Sequence, residues 1–194
     1  MGRASNRERV LEAAERVLLE RGIAALTLDA VAAAAGMSKG GLIYHFPGKD
    51  ALVAGMVERV VERFEARMAA YRAAHPGPGS WTRAYLAASL PPAGTADGQE
   101  ADREAALLAA LGHAPELVAP YAARQEAWAR AQREDGTDPV TAAVVRLAAD
   151  GLWMNEAFGI TPLAPAAREE AVRRLYEMTR STPGRTPARE PTEE

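Results

Sequence analysis

The chain contains no cysteine. Disulfides, thiolate zinc sites and thiol catalysis are therefore excluded, and a reducing compartment is the natural setting. Long apolar runs are missing too: none approaches the roughly 18 residues of a membrane span. No apolar stretch follows Met1 in the manner of a secretory leader. The expectation is a cytoplasmic protein with no membrane attachment. Histidine is sparse and scattered, at His45, His75 and His113. No glycine-rich phosphate loop, zinc-ligand spacing or nucleophile elbow accompanies it. No metal, cofactor or catalytic group is expected, and an enzyme would have to assemble its site from scattered residues.

What is present is a chain of 194 residues, 48% hydrophobic and 25% charged. That is enough to bury one or two modest cores. The net charge is −3, unevenly spread. Residues 1–50 carry seven Lys and Arg against six Asp and Glu, and the excess of acid lies beyond them. A basic face is thus plausible only at the N-terminal end, where Arg3, Arg7 and Arg9 begin it. Overall acidity confines any contact with DNA to that end without forbidding it.

Nearly everything between the Gly and Pro breakers reads as helix, and no strand candidate survives, so the fold class is all-α. Ser5 or Asn6 can cap a first helix with the apolar stripe Val10, Leu11, Ala14, Val17 and Leu18, stopping at Gly22. Thr27 caps a second, Asp29 lies in its first turn, and Leu26 with Val31 forms a hydrophobic staple. Gly36 ends it. Ser38 caps a third helix, Met37 and Leu42 repeat the staple, and Pro47 follows Phe46. A long helix from about Lys49 to Ala73 carries Leu52, Met56, Val57, Val60, Phe64, Met68 and Tyr71. Ser80 is expected to cap a fifth helix, followed by a loop from Pro91 to Gln99 and a sixth helix over 100–111. A short helix near Pro115, a longer one from Pro120 to about Arg133, one opened by Asp138-Pro139 and one from Pro165 to about Arg180 complete the plan. Residues 181–194 read as a disordered tail.

The first three helices end in a helix-turn-helix pattern, which an ordinary pair of packed helices shares. The third helix distinguishes the two. Leu42 and Phe46 face a core, whereas Lys39, Gly40, Ile43 and Tyr44 are left together on the other side. A cation, bare backbone, an aliphatic and a phenol suit phosphates and major-groove edges. Each interior glycine costs a helix roughly 1 kcal/mol relative to alanine. Gly40 and Gly41 therefore point to a turn whose backbone N–H groups come close to phosphate.

The run Thr27-Leu-Asp-Ala-Val-Ala-Ala-Ala-Ala-Gly-Met-Ser-Lys-Gly-Gly-Leu-Ile-Tyr-His-Phe-Pro-Gly-Lys-Asp-Ala-Leu52 resembles the DNA-binding signature of the tetracycline-repressor (TetR) family. The resemblance covers roughly residues 6–52; beyond it the chain is similar in plan only. It implies a helix-turn-helix domain over 1–48 and a ligand-binding and dimerising domain over 49–180. It further implies a homodimer formed by the last two long helices, a palindromic operator in double-stranded DNA, and release from it by a small-molecule effector. Carried over by position, Thr27 contacts phosphate, and Ser38, Lys39 and Gly40, with Gly41 beside them, meet backbone and bases. Tyr44 and His45 reach phosphate or a base edge, and Lys49 anchors phosphate. Ile43 stands where the family often has an aromatic residue; it can meet a thymine methyl but donates no hydrogen bond.

Large or polar side chains that could line an effector pocket are Met56, Phe64, Trp81, Tyr85, Tyr121, Trp128, Trp153, Asn155 and Phe158, although aromatics at helical spacing are more often core. Asn155 and Glu156 sit in an apolar helix and need partners, in a ligand or across a dimer. The stripe Val144, Ala148, Gly151 and Asn155 is expected to let a symmetry-related helix approach, with Val172, Leu175 and Tyr176 extending the contact. A DNA-binding protein without ligand response fits the same residues.

Overall fold

The computed structural model describes residues 5–92, 94–111, 119–160 and 163–180. Among these there is no strand, and the helices follow one another as α1 (Asn6–Arg21), α2 (Leu28–Ala35), α3 (Lys39–His45), α4 (Lys49–Ala74), α5 (Ser80–Ser89), α6 (Ala96–Leu111), α7 (Ala119–Arg133), α8 (Pro139–Phe158) and α9 (Pro165–Met178). No described helix is long and apolar enough to cross a membrane. The short helix expected near Pro115 and the tail over 181–194 lie outside the described residues.

The starts of the first three helices follow from their sequence. Ser5 Oγ accepts from the Glu8 N–H at 3.2 Å, Thr27 Oγ1 from Ala30 at 3.2 Å, and Ser38 Oγ from Gly41 at 3.1 Å. Each such cap contributes about 1 kcal/mol. Gly36 closes α2 in the left-handed conformation, at φ 64°, where a side chain would be strained. Between α1 and α2 the chain makes a single tight turn, Ile23–Ala25, that the sequence pattern does not announce.

Two starts differ from expectation. Ser80 does not cap α5; it is the first helical residue, and Gly79 precedes the helix. The cap comes instead from Asp135, more than fifty residues away. Its carboxylate accepts from the backbone N–H groups of Trp81 at 2.6 Å and Thr82 at 2.9 Å, and from the Thr82 hydroxyl at 2.7 Å. A remote carboxylate satisfies the free helix-start donors as well as a local serine does. The second difference is α6, which begins at Ala96 rather than residue 100. Thr95 Oγ1 accepts from the Gly98 N–H at 3.0 Å, so the cap lies inside what reads as loop.

There are two apolar cores. The first gathers Val10, Leu11, Val17 and Leu18 of α1, Val31 of α2, Leu42 and Phe46 around α3, and Leu52, Met56 and Val60 of α4, closed by Leu107 and Leu111 of α6. The second gathers Val61 and Met68 of α4 with Trp81, Tyr85 and Leu86 of α5, Trp128 of α7, Val145 and Ala149 of α8, and Leu175 of α9. Fully burying one such aliphatic or aromatic side chain stabilises by about 1.5–3 kcal/mol. α4 belongs to both cores. It comes so close to the end of α3 that a Cβ on Gly55 would lie 2.7 Å from Phe46 Cε1.

One face of α4 carries arginines at steps of four. Arg59 is only 7% exposed; its guanidinium lies 2.6 Å from Glu8, 3.6 Å from Glu12 and 3.5 Å from Glu15, all on α1. Arg63 lies between Glu15 of α1 at 3.7 Å and Glu100 of α6 at 3.3 Å. Arg67 grips Glu104 of α6 with both terminal nitrogens, at 2.6 and 3.3 Å. Burial pushes the Glu15 and Glu104 carboxyls above the usual carboxylate value, against the pull of these arginines. Such clusters are sensitive to loss of one member, because the remaining charges stay buried without compensation. Arg59→Ala should destabilise the fold by about 3 kcal/mol, read as a lower urea midpoint with unchanged helicity in water.

Candidate nucleic-acid interface and aromatic cluster

On α3 and the start of α2, Asp29, Lys39, Gly40, Gly41, Ile43 and Tyr44 are exposed. Tyr44 projects into solvent at 86% exposure and Ile43 is 41% exposed beside it, while Leu42 on the reverse side is fully buried. The Tyr44 and His45 rings meet edge-on with centroids 5.2 Å apart. Gly40 is exposed, and a Cβ placed on it would meet nothing within 4 Å. Nothing inside the protein therefore asks for glycine there. On Gly41 a Cβ would lie 3.3 Å from the Ser38 hydroxyl, so the cap itself favours a small residue at that position. A cleft of about 440 Å³ between α1 and α3 is lined by Asn6, Arg9, Met37, Gly41, Tyr44 and His45.

The cations of this end are fixed in place, and sequence reasoning missed how. Arg9 donates to the Ala35 carbonyl at 2.8 Å and Arg16 to the Ala34 carbonyl at 3.3 Å, so α1 caps the C-terminal end of α2. Arg7 stacks over the Phe46 ring, 5.4 Å from its centroid. Lys49 donates to the Ile23 carbonyl at 3.2 Å. Lys39 is held by a carboxylate, Asp29 Oδ2, at 2.9 Å. Carbonyl acceptors in loops and helix ends leave no trace in sequence, whereas the Asp29–Lys39 pair involves residues already visible as charged neighbours of the turn.

Of the residues expected to line a pocket, Phe64, Trp81, Tyr85 and Trp128 come together. Phe64 lies 5.4 Å from both Tyr85 and Trp128, centroid to centroid, and Trp81 stacks on Tyr85 at 5.5 Å. Met56 is elsewhere, fully buried in the first core. Trp153 packs half-buried against the second core, and Phe158 is half-exposed on the outside of α8. Asn155 donates to the Gly151 carbonyl at 2.7 Å, the back-bond of a polar side chain within its own helix. Glu156 accepts from Arg168 of α9 at 2.5 and 3.2 Å, which gives it a partner within the chain. The Tyr121 side chain lies outside the described residues.

The stripe expected on α8 is rotated. Ala148 turns inward against the second core. The exposed apolar residues are Val140, Val144, Leu147, Met154 and Phe158, which fall at steps of three and four with Gly151 between them. A Cβ on Gly151 would also meet nothing within 4 Å.

Charged groups surround the aromatic cluster that the sequence reading did not single out. The Tyr85 hydroxyl donates to Asp150 Oδ1 at 2.5 Å. The Arg146 guanidinium sits 5.3 Å from the Tyr85 ring centroid, hydrogen-bonds Gln125 and approaches Asp150 at 4.0 Å. On the other side Trp128 Nε1 donates to Glu65 at 2.9 Å, and Arg124 pairs with Glu58 at 2.5 Å and Glu65 at 3.5 Å. The signal in sequence was Arg146 and Asp150, four apart in an otherwise apolar helix. Among the described residues no cluster of His, Asp or Glu suits a metal ion.

Burial pushes the Asp150 carboxyl above its ordinary 3.8, opposed by the Tyr85 hydroxyl and Arg146. A carboxyl raised on folding gives stability that is present in full below 3.8 and is lost as pH rises through its folded value. Asp150→Asn removes that loss. Relative to the parent, the variant should gain stability when urea unfolding is moved from pH 4 to pH 7.

Known proteins share this arrangement. Residues 79–180 match the tetracyclin repressor-like C-terminal domain, and residues 10–56 match the bacterial regulatory proteins of the tetR family. The HTH-type transcriptional repressor BepR of Brucella suis is 38% identical over 78 residues, which is 39% of this chain and 36% of that protein; the match thus spans about a third of the repressor's length. Two crystal structures of the multidrug binding protein EbrR superpose over 90% of this chain and 98% of theirs. The complex with ethidium is 32% identical with a TM-score of 0.59, and that with malachite green 27% identical with a TM-score of 0.65. A transcriptional regulator from Rhodococcus sp. Rha1 shares the fold at 23% identity, over 90% of this chain and 96% of that one, with a TM-score of 0.65. With both halves of the family pattern present in order on one all-helical chain, this protein belongs to the TetR family of bacterial regulatory proteins.

Proposed function

We propose that this chain is a transcriptional repressor that binds a palindromic operator as a homodimer and is released by a small aromatic cation. The observation that carries the DNA-binding part is the exposed set Lys39, Gly40, Ile43 and Tyr44 on a capped helix, with open space above Gly40. Thr27 and Ser38 keep their hydroxyls at the starts of α2 and α3, beside Gly41 and His45. Lys49 is pinned near the same surface. Phosphates take the cations and free N–H groups, and Ile43 and Tyr44 meet base edges.

The exposed stripe Val140, Val144, Leu147, Gly151, Met154 and Phe158 supports the dimer, because apolar residues at steps of three and four let a two-fold-related α8 pack against it. The α9 residues expected to extend it, Val172, Leu175 and Tyr176, pack instead against the second core of their own chain. The paired recognition helices then sit roughly 34–36 Å apart, or near a multiple of that spacing, to read a palindrome. Gly40→Leu should leave the dimer folded and abolish binding to an operator selected from random DNA. Gly151→Trp should give helical monomers with much reduced operator affinity. Sedimentation beside a binding titration checks both, and tight binding by either variant would refute the assignment it tests.

Support for the effector comes from the EbrR complexes with ethidium and malachite green and from the cluster of Phe64, Trp81, Tyr85 and Trp128. There Arg146 already places a cation over Tyr85, beside Asp150. A flat cation stacked among these rings presses on α4, which also holds the first core, and changes the spacing of the recognition helices. Ethidium, titrated into the protein without DNA because it intercalates, should bind. Arg146→Met should tighten that binding about five-fold by vacating the Tyr85 face.

A further inference from the structure

The structure carries an acid where a DNA-facing surface is expected to be uniformly basic. Asp29 lies in the first turn of α2, two residues after the Thr27 cap, and its side chain is 72% exposed. It is not buried, it caps nothing in its own helix, and its recorded partner is Lys39 at 2.9 Å. Lys39 opens α3, so its ammonium reaches back across the helix-turn-helix instead of pointing along α3. Four cations around this turn can be compared. Arg9, Arg16 and Lys49 are held by backbone carbonyls of Ala35, Ala34 and Ile23; those partners fix position and leave the full charge available to phosphate. Lys39 is held by a carboxylate, which fixes position and cancels the charge.

From this contrast we propose that Asp29 competes with phosphate for Lys39: it withholds that charge from DNA held out of register and gives it up on the operator. The inference rests on the reading that α3 faces the operator. An exposed ion pair is weak, so it opens easily once something better is offered. On random duplex, loosely held and out of register, phosphate gains little over Asp29 and Lys39 stays paired. On the operator, the contacts of Ile43, Tyr44 and the helix starts fix the register, a phosphate is held against Lys39, and the pair exchanges. Asp29 therefore lowers affinity for both duplexes, and for the operator by the full strength of the pair, because only there must the pair open; what separates the two complexes is whether Lys39 contacts phosphate at all. The price of a lone carboxylate near the backbone is accepted only in the complex that matters.

The test is a double-mutant cycle on the full-length chain with Asp29→Asn, Lys39→Ala and both together. Each is titrated against a random-sequence duplex and against an operator obtained by selection, over a range of salt. Asn keeps the size of Asp and leaves the Thr27 cap intact, and circular dichroism verifies the fold. Freeing one lysine adds one phosphate contact, so Asp29→Asn should tighten random-duplex binding about five-fold and steepen its log–log salt slope by about 0.9. The operator slope should not change, because Lys39 contacts phosphate there with or without Asp29, and operator binding should tighten at least as much because the pair no longer has to open. In the Lys39→Ala background Asp29→Asn should do almost nothing to the salt slope. An unchanged random-duplex slope, a steepened operator slope, or an undiminished effect of Asp29→Asn without Lys39 would show a plain repulsive charge and overturn the proposal. If Lys39→Ala itself alters neither affinity nor slope on either duplex, it is the placement of α3 at the DNA that fails.

Discussion

The structure depends on α4 being shared. Its first half closes the core built by α1–α3, its second half lies in the core built by α5, α7, α8 and α9, and no hinge separates the two. A continuous helix of 26 residues transmits displacement far better than a linker would, because interiors are packed and resist local deformation. The arginines at positions 59, 63 and 67 complete the connection. From one face of α4 they reach both α1 and α6 through carboxylates that are themselves partly buried. An apolar seam of the same area would tolerate small slips; paired charges at fixed distances do not. The polar seam thus makes the relation between the two cores specific rather than merely stable.

The two cores differ in how far apart in the chain their parts lie. The first core is nearly self-sufficient in sequence: caps, staples and glycine stops are all local, and Leu107 and Leu111 supply its distant part. The second core is assembled from helices far apart in the chain. Its aromatic centre is surrounded by charges whose partners lie on different helices, such as Tyr85 with Asp150 and Trp128 with Glu65. The residues of that centre are not those of the first core.

The same contrast sets what could be read in advance. Helix starts capped by Ser5, Thr27 and Ser38 were legible because the donor and acceptor are three residues apart. The cap of α5 was not, since Asp135 approaches it through tertiary packing and Ser80 offered a false local answer. The exposed side of α3 followed from the alternation of Leu42 and Phe46 with Ile43 and Tyr44. On α8 the stripe keeps Val144 and Gly151 but runs through Leu147 and Met154 in place of Ala148 and Asn155, because small residues such as Ala148 satisfy either face and only the packing of the second core decides between them. Met56 and Phe64 look alike as pocket candidates at helical spacing, yet the boundary between the cores falls between them and separates their surroundings.

Asp135 has a further consequence, for the order in which the chain folds. α5 has ten residues and no local cap, too short to persist alone in water. Its first-turn donors find their acceptor only when the end of α7 has arrived, and closing so long a stretch of chain costs entropy before any contact repays it. The N-terminal helices need no such wait. A ribosome releasing this chain therefore frees a set of helices able to form most of their own core first, and the regulatory half condenses around the protruding end of α4 only after the stretch from α5 to Asp135, about 190 Å at roughly 3.5 Å per extended residue, has emerged.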